Sequence, residues 1–241
     1  MGRENTLGRD RHKGGSTASQ RDWPHLTYKE VLDNLGKPLP IWEYFFLRYI
    51  YGFLVYININ WLHLHPNTIS LLSMASAIGG VYAFWQGSFL WGALLFELAF
   101  ILDCVDGPTA RIAKKTSKLG VALEVWTDSI RLIGSMWGLV HGLGGNSTTM
   151  LLGMTYSISF GAGVWLYTKS VESAMKGGES INQWISSGPF WKIPTWIELE
   201  TVGFFILPLI GKPLWGLWTL AIFHPIMTLI MTIHGVITGE E

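Results

Sequence analysis

Residues 103–128, DCVDGPTARIAKKTSKLGVALEVWTD, place two pairs of acidic side chains where two apolar runs approach each other. Asp103 and Asp106 end the first run three positions apart, so both lie on one face of a helix. Glu124 and Asp128 are four positions apart in the second run and share a face in the same way. Two antiparallel helices joined by the short connection would bring all four carboxylates into one small volume.

Apolar runs of about 20 residues, the length that spans a bilayer as a helix, lie on both sides of this stretch. They cover residues 67–86, 88–105, 119–141, 147–170 and 213–237, and a shorter run at 199–211 completes a sixth helix if it starts near Trp196. Hydrophobic residues make up 49% of the chain and charged residues only 14%. Because soluble domains carry about 25% charged residues, the sequence predicts an all-α integral membrane protein. Its membrane domain is a six-transmembrane-helix bundle over residues 64–241.

The N-terminal part of the chain is more polar. Residues 1–40 form a polar tail with seven Lys and Arg, and residues 41–63 combine a long apolar stretch with several polar and charged side chains. Basic segments stay on the cytoplasmic side of a membrane, and the loop 107–118 is basic as well. If 41–63 lies in the membrane interface, two spans separate the tail from this loop and both lie on the same side of the membrane. If 41–63 crosses the membrane, they lie on opposite sides. We therefore predict a juxtamembrane amphipathic helix at 41–63, with the four acids and both termini cytoplasmic.

Four carboxylates at one end of a membrane bundle require compensating positive charge. A charged side chain costs about 2.5–3.5 kcal/mol at the bilayer centre and less near the interface, and mutual repulsion adds to that. Carboxylates without His or Cys favour a hard cation such as Mg²⁺ or Mn²⁺. Two such ions would fit the charge and clamp a pyrophosphate. Interhelical salt bridges could account for any one acid, but not for four at helical spacing beside a basic loop.

Small residues flank both acidic pairs. Gly107 and Ala110 follow the first pair, and Gly120 precedes the second. Small side chains let a ligand approach the backbone closely, although close packing of helices would also favour them. Arg111 lies one turn after Gly107, and a guanidinium suits phosphate oxygens bidentately. The pattern therefore indicates a phosphate-containing ligand beside the acids.

This spacing resembles the signature of the CDP-alcohol phosphatidyltransferase family, which is D-x-x-D-G-x-x-A-R, eight residues, then G-x-x-x-D-x-x-x-D. Seven of the eight defining positions match within residues 103–128. Pro66-Asn67-Thr68 also resembles the family's Pro-Asn-x-x-Thr helix start, with Ser70 at the later position. The resemblance covers about residues 60–237, and its specific part is 103–128.

The resemblance implies a membrane enzyme of phospholipid biosynthesis. Such an enzyme transfers a substituted phosphate, here foremost a phosphatidyl group, from a CDP-linked donor to an alcohol and releases CMP. The family pattern implies that two Mg²⁺ or Mn²⁺ ions are bound by Asp103, Asp106, Glu124 and Asp128. It makes Asp128 the expected general base for the acceptor hydroxyl. The implied CDP-binding residues are Asp103, Gly107, Ala110, Arg111, Ser117 and Gly120.

The implied partners are a CDP-linked lipid or alcohol donor, an alcohol acceptor and membrane lipids. Family members are often dimeric, so a homodimer is a further expectation. Nucleic acid is not expected, because the formal net charge of the chain is zero.

Two positions depart from the expected pattern. The family has Asp where this chain has Glu124, whose carboxylate reaches about 1.5 Å farther from the backbone. The helix could shift to compensate, the metal preference or rate could change, or the pocket could bind nucleotide without turnover. Pro108 follows Gly107, and a proline inside a helix removes a hydrogen bond. The sequence therefore predicts that the helix breaks there and turns into the basic loop.

Two further charged residues lie in the apolar runs. Arg131 follows Asp128 by one turn and is a candidate to bind a phosphate on the acceptor, or else compensates the charge of the acids. The first alternative favours a lipid donor with a polar acceptor. Glu97 lies in the middle of a run, where an acid is by default a functional residue. The sequence offers it no partner.

Two rival functions remain. A cation-binding membrane transporter would explain acids among spans, but not the fixed Gly, Ala and Arg positions. A catalytically silent CDP-binding paralogue would keep the pocket and lack turnover.

Overall fold

The computed structural model describes residues 23–35, 41–175 and 195–238, and these residues contain helices and no strands. Much of the predicted polar tail therefore lies outside the described residues. The N-terminal helices are α1, Tyr28–Asn34, and α2, Arg48–Ile57, which is extended by π-helical turns at Glu43–Leu47 and Asn58–Leu62. Helices α3, Pro66–Trp85, and α4, Phe89–Ile112, follow. The chain then continues through α5, Lys118–Ser129, a π-helical turn, Ile130–Gly134, and α6, Ser135–Gly142.

The C-terminal part adds four more helices. They are α7, Ser147–Met175; α8, Trp196–Glu200, which leads through a π-helical turn, Thr201–Ile206, into α9, Leu207–Leu209; and α10, Pro213–Thr238. These helices agree with the predicted apolar runs to within a few residues, except at the end of α4. Long aromatic and aliphatic side chains of α4, α6, α7 and α10 form one core, which includes Phe96, Met136, Tyr156 and Leu220.

Within the described residues, three helices are long and apolar enough to cross a membrane, at Pro66–Trp85, Ser147–Lys169 and Pro213–Ile233. Many of their large apolar side chains face outward, as Leu71 and Leu229 do. Outward-facing apolar side chains at this density are expected where lipid is the solvent. The chain is an integral membrane protein, and the count of six spans stays a prediction.

Helix α2 packs lengthwise against the bundle. Leu47, Tyr51, Val55 and Ile59 recur every four residues on its buried face and join a second core with Phe100 of α4. Aromatic residues on the opposite face, such as Phe53, are exposed. This segment is helical as expected, and its location in the membrane interface stays a prediction.

The predicted helix break at Pro108 is wrong. Helix α4 runs through Pro108 and ends at Ile112. Lys114, two residues later, has a φ of 54°. Because Gly107 has no Cβ, the proline ring does not meet the clash with the preceding residue that usually ends a helix. The missing N–H and the contact of the ring with the carbonyl four residues earlier remain as costs. A Schellman-type closure ends the helix, with Lys115 N–H donating to the Ala110 carbonyl and Lys114 N–H to the Arg111 carbonyl.

Helix α3 packs against both α4 and α5, whereas α4 and α5 make few close backbone approaches to each other. The connection between them is five residues long, from 113 to 117. The C-terminal half of α4 and helix α5 therefore flank α3, and we call the space between them, with α3 as its floor, the cleft. The motif 103–128 supplies both of its walls.

Candidate active site

Helix α3 fixes the first wall of the cleft through Asp106. The Asp106 side chain is 8% exposed, and its Oδ2 accepts a hydrogen bond of 2.5 Å from the Ser70 hydroxyl. Ser70 belongs to the Pro66–Ser70 segment that the sequence singled out as a helix start. That segment therefore anchors an acid of the motif as well as opening α3.

Asp103 lies one turn earlier on α4 and is half-buried. Its Oδ1 is buried and has no hydrogen-bond partner among the described residues. Asp106, Glu124 and Asp128 all lie within electrostatic reach of Asp103. An unpartnered buried carboxylate oxygen is costly unless a cation compensates it.

The second wall is more open. Glu124 is exposed, and Arg111 lies within electrostatic reach of it. Asp128 has a side chain 42% exposed, and its Oδ1 accepts a hydrogen bond of 2.9 Å from Arg131 Nη2. Among the described residues its Oδ2 makes no such bond, so this oxygen can face the cleft.

Arg131 itself is buried, with 5% of its surface exposed. Its Cζ lies 5.0 Å from the ring centroid of Phe96 and 4.8 Å from that of Phe100, both on α4. A desolvated guanidinium over aromatic rings gains cation–π stabilisation. The observed contacts are those of the charge-compensation alternative, because the guanidinium is packed against α4 and paired with Asp128.

A π-helical turn begins at Ile130, directly after this part of α5. Such a turn inserts one extra residue into the helix and shifts the faces that follow it. The single wide turn lets α5 present Asp128 to the cleft while Arg131, three residues later, is buried. Short π-helical segments are frequent at functional sites.

The predicted nucleotide-binding residues line the same end of the cleft. A Cβ added to Gly107 would lie 3.3 Å from Arg111 Nη1, so the guanidinium lies over the glycine. Ser117 caps α5: its hydroxyl accepts from the Gly120 N–H at 2.9 Å and donates to Asn67 Oδ1 at 3.0 Å. Asn67 thereby joins α3 to the start of α5. Ala110 lies half-buried between Gly107 and Arg111 on α4.

The donor set fits hard divalent cations. Four carboxylates share one electrostatic neighbourhood, in which Arg131 forms an ion pair with Asp128. The unpartnered Asp103 Oδ1 is available as a ligand. No three His, Cys, Asp or Glu side chains in the described part of the chain converge on one point closely enough to hold an ion. The acids therefore border the cleft as separate pairs.

The CDP-alcohol phosphatidyltransferase family model matches residues 63–237 of the chain. The chain belongs to this family. The match includes α3 to α10 and the whole cleft, and it begins after α2.

Among curated proteins, the phosphatidylinositol phosphate synthase of Streptomyces avermitilis is 31% identical over 109 residues. This alignment covers 44% of the chain and 44% of the relative, so the chain spans less than half the length of that protein in the comparison. Its name supports a place in phospholipid biosynthesis, which the family also indicates.

Sequence reasoning missed two side chains that lie beside the charged residues of the cleft. Glu200 is buried within electrostatic reach of Arg131 and Asp128. Trp42 donates from Nε1 to Glu97 Oε1 at 2.8 Å and gives that acid the partner the sequence lacked. An acid in an apolar run is the signal that could have drawn attention to Glu200. Nothing in the sequence could pair Trp42 with a residue 55 positions away.

Proposed function

We propose that the protein transfers a phosphatidyl group from a CDP-linked lipid to a polar alcohol and releases CMP. The observation that carries the proposal is the cleft between α4 and α5. At one end of a membrane bundle it is bordered by the four motif acids, of which Asp128 is half-exposed, and by the glycine with Arg111 over it. Family membership supports the reaction class, and the name of the streptomycete relative supports a phosphatidyl product.

The donor side of the cleft would be formed by α4 and the start of α5. Gly107 leaves room for the Arg111 guanidinium, which would meet phosphate oxygens of the nucleotide. Gly120 leaves room for the side chains of Asn67 and Ser117, which hold the start of α5 to α3. The Ser117 hydroxyl is engaged in two hydrogen bonds, one that caps α5 and one to Asn67. Ser117 therefore shapes this wall by holding α5 to α3.

Asp103, Asp106, Glu124 and Asp128 would hold two Mg²⁺ or Mn²⁺ ions. When bound, these ions neutralise the pyrophosphate and stabilise CMP as the leaving group. Asp106 contributes a carboxylate fixed by Ser70, and Asp103 contributes its unpartnered buried oxygen. Glu124 reaches from the exposed wall, where a longer side chain has room to adapt.

Asp128 would be the general base. Its Oδ1 is held by Arg131, which leaves Oδ2 to accept the proton of the acceptor hydroxyl. The hydroxyl oxygen forms a bond to the phosphorus that carries the lipid. The bridging P–O bond to CMP breaks, and its electron pair leaves with CMP.

The site would lie at the cytoplasmic edge of the membrane, where a lipid donor and a water-soluble alcohol can meet. The basic residues of the α4–α5 connection favour this orientation. Helix α2 would lie in the interface with its exposed aromatic face toward lipid.

CMP release tests the proposal. Purified protein in lipid nanodiscs would receive CDP-diacylglycerol, Mn²⁺ or Mg²⁺, and one alcohol at a time from a panel of phosphorylated and unphosphorylated polyols and amino alcohols. We expect CMP and a new phosphodiester lipid in equal amounts, and no release in EDTA. Absence of CMP with every alcohol would contradict the proposal. Tight CDP binding in that case would favour a silent nucleotide-binding paralogue, and metal-ion flux across liposomes without CDP binding would favour a transporter.

A further inference from the structure

Glu97 is a buried acid of α4 that the proposed reaction does not use. Its side chain is 6% exposed, and Oε1 accepts the hydrogen bond from Trp42 Nε1. Its second oxygen, Oε2, is buried with no hydrogen-bond partner among the described residues. A carboxylate in this position is costly, so its retention calls for a function.

Trp42 lies outside the part of the chain that the family model matches, at the N-terminal end of the helical segment that leads into α2. Its backbone N–H donates to Glu198 Oε1 at 3.2 Å. Its ring packs at a centroid distance of 4.8 Å from Phe46 and 6.3 Å from Phe205. The indole is therefore fixed by contacts that do not depend on Nε1, and its N–H is the group that reaches Glu97.

Arg131, which follows α5, packs against the face of α4 that carries Glu97. The rings that hold its guanidinium are Phe96, the neighbour of Glu97, and Phe100, one turn later. Arg131 and Glu97 lie within electrostatic reach of each other. The guanidinium makes its ion pair with Asp128, and its Nε is buried without a hydrogen-bond partner.

Glu97 can therefore compete with Asp128 for a buried guanidinium that Glu200 also faces within electrostatic reach. Asp128 is paired with it, whereas Glu97 has one oxygen held by Trp42. Without the indole N–H, Glu97 would be free to turn toward the unpartnered Nε of Arg131. The ion pair between Arg131 and Asp128 would then weaken, and Asp128 could move. Catalytic groups have to stay within about 0.5 Å of their productive position.

We propose that Trp42 is a positioning residue for Asp128. Its hydrogen bond to Glu97 keeps that carboxylate away from Arg131, so that Arg131 stays paired with the general base Asp128. This inference rests on the proposed function, since it assigns Trp42 to the same reaction. It makes the N-terminal segment, beyond the family match, part of the active-site machinery.

A double-mutant cycle tests the inference through CMP release in nanodiscs. Trp42→Phe keeps an aromatic ring against Phe46 and Phe205 and removes the N–H. We expect kcat to fall about tenfold, as for the loss of an outer-shell partner of a catalytic carboxylate, with KM for the CDP-linked donor within about twofold. In a Glu97→Gln background the same change should cost less than about twofold, because the competing charge is gone.

The result that overturns the inference is an equal loss in both backgrounds, since simple docking of the N-terminal segment would cost the same in each. An unchanged kcat in Trp42→Phe would overturn it as well. A wild-type protein that releases no CMP would overturn the proposed function and this inference together. Activity in the wild type with an additive cycle overturns the inference alone.

Two further variants keep the test independent of folding. Replacing Trp42 with 3-benzothienylalanine substitutes sulfur for the N–H within the same ring outline, so it should repeat the kcat loss without a change in melting temperature. Trp61→Phe is the matched control, because Trp61 is exposed and packs on Tyr56 at the other end of the helix. Its kcat should equal that of the wild type, and a tenfold loss there would also contradict a specific role for Trp42.

Discussion

The two acidic pairs of the motif are held in different ways. On α4, Asp106 is buried and bonded to Ser70, and Asp103 is half-buried with its Oδ1 shielded from solvent. On α5, Glu124 is exposed and Asp128 is half-exposed, with one oxygen on Arg131. The α4 pair is thus built into the packing of α3 and α4, whereas the α5 pair is free on the cleft side. Under the proposed function, this difference means that α4 would supply the fixed metal ligands and α5 the adaptable wall that faces the substrate.

Removing an acid from the fixed wall should have the largest effect. Asp106→Asn keeps the hydrogen bond from Ser70 and removes the charge, so we expect kcat for CMP release to fall about a thousandfold. Isothermal titration with Mn²⁺ should show weakened binding at an unchanged melting temperature. A variant with normal turnover would show that the α4 pair is structural.

Loss of the ion pair that holds Asp128 on α5 should have the second-largest effect. Arg131→Met leaves Asp128 without its partner and should lower kcat about 10- to 100-fold, with a smaller loss in Arg131→Lys. Because Asp128 is half-exposed, the free energy of unfolding should fall by only about 1–3 kcal/mol. Kinetics and thermal unfolding in the same detergent measure both. A loss confined to KM for the acceptor would instead support the phosphate-binding alternative for Arg131.

The Ser70 hydroxyl that holds Asp106 is neutral, so its removal should lower kcat less than the loss of a charged group. Ser70→Ala frees Asp106 from α3, and we expect kcat to fall about tenfold, with recovery in Ser70→Thr. Ser73→Ala serves as the matched control, since the Ser73 hydroxyl is also buried in α3 but donates to the Ala99 carbonyl away from the acids. Equal losses in both variants would mean that the effect comes from packing alone.

The smallest effect should follow a change in side-chain length on the open wall. Glu124→Asp restores the family residue, and because Glu124 is exposed, turnover should change by less than about threefold. Steady-state kinetics with Mg²⁺ and with Mn²⁺ would measure this. A rise from no turnover to turnover would identify the wild type as a silent paralogue.

The sequence predicted most of what depends on local pattern. Helical spacing placed Asp103 with Asp106 and Glu124 with Asp128, and run lengths located the helices. The same reasoning failed at Pro108, because a helix prediction weighs the proline and not the missing Cβ of Gly107 beside it.

Long-range pairings could not be predicted in this way. The hydrogen bond from Ser70 to Asp106 and that from Trp42 to Glu97 join residues 36 and 55 positions apart. Such contacts depend on how whole helices pack. The burial of Arg131 also depends on the π-helical turn after Asp128, for which local propensity gives no signal.

Asp128→Asn tests the central claim most directly. The substitution preserves shape and a hydrogen-bonding oxygen, and it removes the group that accepts the proton. With CDP-diacylglycerol, Mn²⁺ and the acceptor that supports turnover in the wild type, we predict that CMP release is lost while the affinity for CDP stays within about threefold. Near-normal release of CMP by this variant would contradict the account.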